Sequence, residues 1–173
     1  MNVLSLFPNI KVFAFDVDGV LTDGTLYLMP EGEMVRRMNI KDGYALQLAV
    51  KKGYEVIIIS GGQSELVKER LHKLGIQHVY MQVHDKKQVL QDFLQQRQYS
   101  LSQTLFMGDD IPDLEVMQTV GLPCCPADAC SEIQETSLYI SPQVGGAGAA
   151  RDVIEKVLKL SGDWVHTTQV QSR

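Results

Sequence analysis

The stretch Val12-Phe-Ala-Phe-Asp16-Val-Asp18-Gly-Val20 decides how this chain folds and where its chemistry lies. The apolar run before Asp16 predicts a buried strand, and the two aspartates follow at its end. Residues two apart in a strand point to the same side, so both carboxylates should aim at one spot. Carboxylates that close repel each other unless a cation lies between them or one takes a proton. Taken alone, the pattern also fits a strand that ends in an ordinary polar turn.

The composition is that of one globular domain. The chain has 173 residues, 45% of them hydrophobic, and a net charge of −5 at pH 7. This acidic balance disfavours a nucleic-acid binder with a broad basic surface. No apolar stretch approaches the roughly 18 residues that would span a bilayer. Residues 1–8 have no basic segment and no small-residue cleavage site, so we expect a cytoplasmic protein with no membrane or nucleic-acid partner.

Strand-like and helix-like segments alternate along the rest of the chain. Apolar runs predict strands at 55–59, 76–81, 104–107, 122–125 and 138–140, and amphipathic patterns predict helices, the last at 149–160. Such alternation predicts a three-layer α/β/α sandwich with a mainly parallel, Rossmann-like sheet. Residues 25–40 predict a protruding β-hairpin around a Pro-Glu-Gly turn. We expect one domain over 1–160 and a polar tail over 161–173.

Helix ends are also marked in the sequence. Asp42, Ser64 and Asp85 are candidate N-caps, because a short polar side chain accepts a hydrogen bond from the first helical turn. Gly75 suits a left-handed helix end. The loop 145–148 either approaches a substrate through its backbone or leads into the last helix.

Reactive residues follow several predicted strands. Asp16, Ser60 and Asp109 each come directly after a strand or its glycine, at the carboxyl edge where parallel sheets bind ligands. Lys86 begins a predicted helix near the same edge. Mg²⁺ prefers oxygen ligands, which Asp16 and Asp109 can supply. The Ser60 hydroxyl and the amide of Gly61 can hold a phosphoryl group, and the charge of Lys86 offsets that of phosphate.

These residues predict phosphoryl chemistry. A carboxylate can attack phosphorus and form an aspartyl-phosphate, and Asp16 is the candidate nucleophile. Asp18 has the geometry of a general acid and base that first protonates the leaving oxygen and then activates water.

The motifs Asp16-x-Asp18-Gly, Ser60, Lys86 and Gly-Asp109-Asp110-x-x-Asp113 resemble the haloacid dehalogenase superfamily. The resemblance implies that Asp16 is the nucleophile and Asp18 the acid and base. It also implies that Mg²⁺ is held by Asp16, the carbonyl of Asp18 and Asp109, with Asp110 and Asp113 in support. The spacings between the motifs leave no room for a cap domain.

Three further stretches, 16–24, 39–43 and 145–151, resemble the capless phosphatases of this superfamily that act on 3-deoxy-D-manno-octulosonate 8-phosphate. The resemblance implies a homotetramer in which the hairpins pack together and a neighbouring subunit helps to close each site. A basic group should meet the carboxylate of the substrate, and Lys41, Arg70 and Arg151 are the candidates.

Two departures from this branch keep the substrate open. Lys41 stands where many members have Arg, and Gln63 follows two glycines where relatives often have a charged pair. A nine-carbon 2-keto-3-deoxy sugar acid 9-phosphate is therefore the alternative substrate. The rivals from other classes are a receiver-like domain that accepts phosphate without turnover, and a regulatory domain without catalysis.

Overall fold

A six-stranded parallel sheet organises the computed structural model, which describes residues 2–166 and 168. The strands are β1 (Val12–Phe15), β2 (Tyr27–Leu28), β3 (Met34–Val35), β4 (Glu55–Ile59), β5 (His78–Tyr80), β6 (Thr104–Met107), β7 (Leu122–Cys125) and β8 (Tyr139–Ile140). The helices are α1 (Ile40–Lys51), α2 (Glu65–Lys73), α3 (Lys86–Arg97), α4 (Leu114–Met117), α5 (Ser131–Thr136) and α6 (Ala149–Leu160). Short 3₁₀ turns occupy Val3–Asn9, Leu101–Gln103 and Ile111–Asp113.

The sheet has the order β5-β4-β1-β6-β7-β8, and every neighbouring pair is parallel. Side chains of β1 alternate between its two faces. Phe13 and Phe15 pack on one face with α1, α2 and α6, whereas Val12 and Ala14 pack on the other face with α3, α4 and α5. Both faces are therefore covered, and the predicted three-layer α/β/α sandwich is confirmed.

The predicted hairpin also forms. Strands β2 and β3 pair antiparallel, with Tyr27 opposite Val35 and Leu28 opposite Met34. Its side chains are largely open to solvent: Leu28 is 75% exposed and Tyr27 55% exposed. The paired segment, 27–35, is shorter than the predicted range of 25–40, and α1 begins at Ile40.

One predicted helix cap is wrong. The N-cap of α1 is Asn39, whose side chain accepts a hydrogen bond from the Lys41 amide at 2.8 Å. Asp42 lies within the first turn of α1 and is only 2% exposed. Its carboxylate instead accepts hydrogen bonds from the amides of Gly148 and Arg151, at 3.2 and 2.8 Å, and so caps α6. The other two caps are confirmed, since Ser64 and Asp85 accept bonds from the amides of Val67 and Gln88.

The predicted tail cannot be assigned as a whole. Residues 161–166 and 168 are described, whereas 167 and 169–173 lie outside the described residues. The domain boundary at residue 160 therefore stays a prediction. Within residues 2–166 and 168, no helix combines the length and apolar character needed to cross a membrane.

Candidate active site

The carboxyl ends of β4, β1 and β6 lie side by side and bring three predicted residues together. Asp16 follows β1, Ser60 follows β4, and Asp109 follows β6 after one glycine. The amide of Asp16 donates to the carbonyl of Met107, which fixes the first aspartate against the neighbouring strand end. A cleft of about 370 Å³ opens at this edge, and we call it the catalytic cleft. Its walls include Asp16, Asp18, Ser60, Gly61, Lys86, Asp109, Asp110 and Asp113.

Lys86 lies at the base of the catalytic cleft between two carboxylates. Its Nζ is 3.0 Å from Oδ1 of Asp16 and 2.6 Å from Oδ1 of Asp113, and its side chain is 5% exposed. Burial would lower the pKa of Lys86, but the charges of Asp16 and Asp113 outweigh it and the pKa is raised. Lys86 therefore stays charged. Its charge offsets part of the negative charge of the two carboxylates at this buried position.

Asp113 has two partners. One carboxylate oxygen accepts from Lys86 and the other accepts from the amide of Asp109 at 3.1 Å. The side chain is 1% exposed. An added Cβ at Gly108 would lie 2.4 Å from the Cβ of Asp113, so the close approach requires glycine there. Asp113 thus ties the loop after β6 to Lys86.

Three carboxylates at this edge could share a cation. One oxygen each from Asp16, Asp109 and Asp113 lies within 4.8 Å of the others. Burial, followed by the charge of Asp113, raises the pKa of Asp16 to about 7. Burial, followed by the charges of Asp16 and Asp113, raises the pKa of Asp109 to about 7. Such crowded oxygens are typical ligands of Mg²⁺, and the donor set fits this ion.

Two predicted metal residues lie differently. The carboxylate of Asp110 is exposed and accepts from the Ile111 amide at 2.8 Å, where it caps the short 3₁₀ turn. The carboxylate of Asp18 is not part of the three-carboxylate group. The predicted contribution of Asp18 to the metal, through its carbonyl, stays a prediction, as does the supporting role of Asp110.

The loop after β4 has the shape expected of a phosphate site. Ser60 is 1% exposed, and its hydroxyl accepts from the amide of Gly62 at 3.1 Å. Its backbone bonds to Tyr80 and Val83 and ties the loop to the segment after β5. Gly61 lies on the wall of the cleft, and an added Cβ at this position would meet only ordinary contacts. The Ser60 hydroxyl and nearby amides can therefore approach a phosphoryl oxygen.

A residue that the sequence did not mark lies beside Asp18. Arg36, just after β3, places Nε 2.6 Å from Oδ1 of Asp18 and Nη2 3.2 Å from Oδ2. The side chain of Arg36 is 4% exposed and that of Asp18 is 33% exposed. A Cβ at Gly62 would lie 2.7 Å from Oδ2 of Asp18, so this pairing also depends on glycine at position 62. No motif in the sequence marks Arg36 as a site residue, because it is the path of the hairpin that places Arg36 beside Asp18.

The loop 145–148 packs against the loop after β1. The Gly146 amide donates to the carbonyl of Val20 at 2.9 Å. Thr22 shapes the same loop from inside, since its buried hydroxyl accepts from the amides of Gly19 and Gly24 at 3.3 and 3.2 Å. The structure shows that residues 145–148 lead into α6 and adds a bracing contact, whereas an approach to the substrate through the backbone stays a prediction.

The three candidates for the carboxylate of the substrate are not brought together in the catalytic cleft. Lys41 and Arg151 line a second cavity of about 320 Å³ beside α6. Arg70 lines a groove of about 220 Å³, which it shares with Arg36. The guanidinium of Arg151 lies over the rings of Tyr44 and Trp164, at 5.9 and 5.5 Å from their centroids. Carboxylate binding by Lys41, Arg70 or Arg151 stays a prediction.

Comparisons with known proteins agree with this geometry. A family model described as haloacid dehalogenase-like hydrolase matches residues 78–151. The 3-deoxy-D-manno-octulosonate 8-phosphate phosphatase KdsC of Escherichia coli K12 is 35% identical over 161 residues, 93% of this chain and 86% of that protein.

Solved structures give the same result. The 3-deoxy-D-manno-octulosonate 8-phosphate phosphatase of Moraxella catarrhalis, in complex with magnesium ion, phosphate ion and KDO, has a TM-score of 0.90 and 33% identity over 94% of this chain and 93% of its own. The enzyme of the same name from Yersinia pestis has a TM-score of 0.90 and 33% identity over 93% of this chain and 87% of its own. This chain belongs to the 3-deoxy-D-manno-octulosonate 8-phosphate phosphatase family of the haloacid dehalogenase-like hydrolases.

Proposed function

We propose that this chain is a Mg²⁺-dependent phosphatase that hydrolyses 3-deoxy-D-manno-octulosonate 8-phosphate, an intermediate of lipopolysaccharide sugar synthesis. The observation that carries the proposal is the pairing of buried Lys86 with Asp16, beside Asp109 and Ser60, at the edge of the sheet. It supports phosphoryl transfer to Asp16, and membership of the family supports the choice of sugar.

In the proposed reaction, a carboxylate oxygen of Asp16 attacks phosphorus, and the bond from phosphorus to the sugar oxygen breaks. Asp18 gives its proton to that leaving oxygen. Asp18 then takes a proton from water, and the oxygen of that water displaces Asp16 from phosphorus and releases phosphate. Lys86 favours the ionised form of Asp16 and orients its carboxylate before attack.

The other proposed roles follow from position. Ser60, the Gly61 amide and Lys86 hold the phosphoryl oxygens. Asp16, Asp109 and the carbonyl of Asp18 would hold Mg²⁺, with Asp110 and Asp113 in support. When bound, the ion supplies positive charge that stabilises the phosphoryl group in the transition state.

The test is phosphate release with Mg²⁺ from 3-deoxy-D-manno-octulosonate 8-phosphate. The wild type should turn over, and Asp16→Asn should lose at least about a thousandfold in kcat because it removes the nucleophile. Asp92→Asn, an exposed change of the same kind on α3, is the matched control and should keep full activity. Equal turnover by Asp16→Asn would sink the assignment of the nucleophile.

The same assay separates the alternatives. Faster hydrolysis of a nine-carbon acid 9-phosphate would replace the eight-carbon substrate. A stable phosphoprotein without phosphate release would instead indicate a receiver-like domain. The position of Asp18, two residues after Asp16, disfavours that rival because a second acid so close should promote hydrolysis.

We further propose a homotetramer, with the hairpins packed together and active sites near the subunit interfaces. The exposed apolar side chains of Tyr27, Leu28 and Met34 support it, because such clustered patches are typical of interfaces. Leu28→Lys should yield smaller particles by light scattering, whereas Leu160→Lys, also at an exposed leucine, should not. A wild-type monomer would contradict the proposal.

We place the enzyme in the cytoplasm, because a charged sugar phosphate does not cross a membrane unaided.

A further inference from the structure

Arg36 binds Asp18, the proposed acid and base, through a two-pronged ion pair that we call the fork. Its Nε and Nη2 donate to the two carboxylate oxygens of Asp18, at 2.6 and 3.2 Å. Its Nη1 donates to the carbonyls of Met34 and Gln63, at 3.0 and 3.4 Å. Both oxygens of Asp18 therefore already have a partner on the hairpin side. A sugar oxygen that leaves phosphorus must approach one of them, and opening of this ion pair would free that oxygen to turn towards it.

A buried guanidinium does not give up its anion without a replacement. The side chain of Arg36 is 4% exposed, so removing Asp18 alone would leave an uncompensated charge away from water. Another carboxylate is the group that best replaces the first, because it fits the same two-pronged geometry. The substrate proposed above has such a carboxylate at the end opposite its phosphate.

The position of the ion pair fits an exchange of this kind. Asp18 lies on the wall of the catalytic cleft, whereas Arg36 lines the neighbouring groove with Ser64 and Arg70. The pair therefore forms the boundary between the cleft and the groove. A molecule with its phosphate beside Lys86 and its body directed towards the groove would meet this boundary first.

We propose that Arg36 determines the specificity of the enzyme by exchanging Asp18 for the carboxylate of the sugar acid. Binding of an acidic substrate then frees both oxygens of Asp18 to meet the leaving oxygen. A neutral sugar phosphate leaves the fork closed. The inference rests on the proposed function, since it concerns the substrate of the same site. Among the described residues, Lys86 and Arg36 are the cations paired with Asp16 or Asp18, and Lys86 already serves Asp16 and Asp113.

The test measures binding in the Asp16→Asn background, where turnover does not interfere. Calorimetry with Mg²⁺ compares 3-deoxy-D-manno-octulosonate 8-phosphate with D-arabinose 5-phosphate, which has the same phosphorylated end and no carboxylate. The acid should bind at least about tenfold more tightly, and Arg36→Met should remove most of that preference. Arg36→Lys should keep part of it, because a point charge replaces the fork. Arg37→Met is the matched control, since Arg37 is 69% exposed and pairs with Asp23.

A second variant keeps the inference falsifiable if Arg36→Met does not fold. Asp18→Asn weakens the competing partner, so it should raise affinity for the acid by more than it raises affinity for the neutral sugar phosphate. A preference that survives Arg36→Met, equal losses for both ligands, or no gain with Asp18→Asn would each overturn the role of Arg36. Failure of the proposed function is distinct: the wild type would bind the acid and release no phosphate from it, while the binding data would still decide on Arg36.

Discussion

A Cβ atom added at Gly145 would lie 1.9 Å from the carbonyl oxygen of Gly19. Gly19 has no space to move away from Gly145, because Asp109 lies on its other side. A Cβ added at Gly19 would lie 1.9 Å from Oδ2 of Asp109. Gly19 also has a φ of +88°, which favours glycine. The loops after β1 and before α6 are therefore fitted backbone to backbone, and Asp109 lies on the far side of the same contact.

Gly145→Ala should push the loop after β1 out of place. We expect kcat to fall at least about tenfold, because displacement of a catalytic group by about 1 Å is costly. The free energy of unfolding should fall by about 1–3 kcal/mol from overpacking. Gly53→Ala is the control, because its φ of +83° is strained but no atom lies within 4 Å of the new Cβ. It should lose stability and keep activity. If the two variants were equally active, the bracing contact would have no part in catalysis.

Lys86→Met should destabilise the protein in a pH-dependent way. It leaves Asp16 and Asp113 buried without their cation, which should cost about 3 kcal/mol at pH 8. The loss should be smaller at pH 5, because Asp16, whose pKa is raised to about 7, can then take a proton. Urea denaturation at the two pH values measures the difference. Lys87→Met removes an exposed pair with Glu115 and should cost less than about 1 kcal/mol at both. A loss independent of pH would contradict the account.

Stability without Mg²⁺ should fall as pH rises from about 4 to about 7. The pKa values of Asp16 and Asp109 are about 7 in the folded chain against an ordinary 3.8, so the folded state holds more protons in this window. Mg²⁺ binds the ionised carboxylates, and its stabilising effect should therefore grow with pH over the same window. Thermal unfolding with and without Mg²⁺ tests this. Asp109→Asn should reduce the shift, and a shift that is equal at pH 5 and pH 8 would argue against these ligands.

Arg151→Ala should loosen the C-terminal segment. The Arg151 guanidinium lies between the rings of Tyr44 and Trp164, and His166 bonds to the Tyr44 hydroxyl at 2.7 Å. Trp164 is the single tryptophan of the chain, so its fluorescence should shift to the red and become easier to quench. A stability loss of about 1 kcal/mol should accompany this change. Arg151 also pairs with Glu155. Lys159→Ala removes the second cation paired with Glu155 but touches neither ring, so it should leave the emission unchanged. The contact would be irrelevant if both variants gave identical spectra.

The strands and the site residues that follow their ends could be predicted from the sequence. β4 and β6 lie where apolar runs predicted them, because a parallel sheet covered on both faces buries nearly every residue of its strands. Asp16, Ser60 and Asp109 then meet as a consequence of strand order. Each of these residues lies next to its own strand in the sequence, so the order of the strands is enough to bring the three together.

Other contacts depend on geometry that no local pattern records. Arg36 and Arg37 are adjacent and chemically identical, yet one is 4% and the other 69% exposed. The path of the hairpin decides which of them reaches Asp18. The sequence predicts Asp42 as a cap of its own helix, and this prediction is wrong for a similar reason. Asn39 takes that position, and the partners of Asp42 lie 106 and 109 residues further along the chain.

The cap that Asp42 provides for α6 also bears on how the chain acquires its fold. Asp42 is 2% exposed, and its bonds to Gly148 and Arg151 form only after α6 has been synthesised. Until then, the Asp42 carboxylate lacks both partners, and the apolar face of α1 lacks the part of its packing that α6 supplies. Contacts of such long sequence separation slow folding, because the intervening chain must be ordered first. A ribosome-bound fragment that ends before residue 149 should therefore remain open to proteases around α1, and the layer that supports the active site closes last.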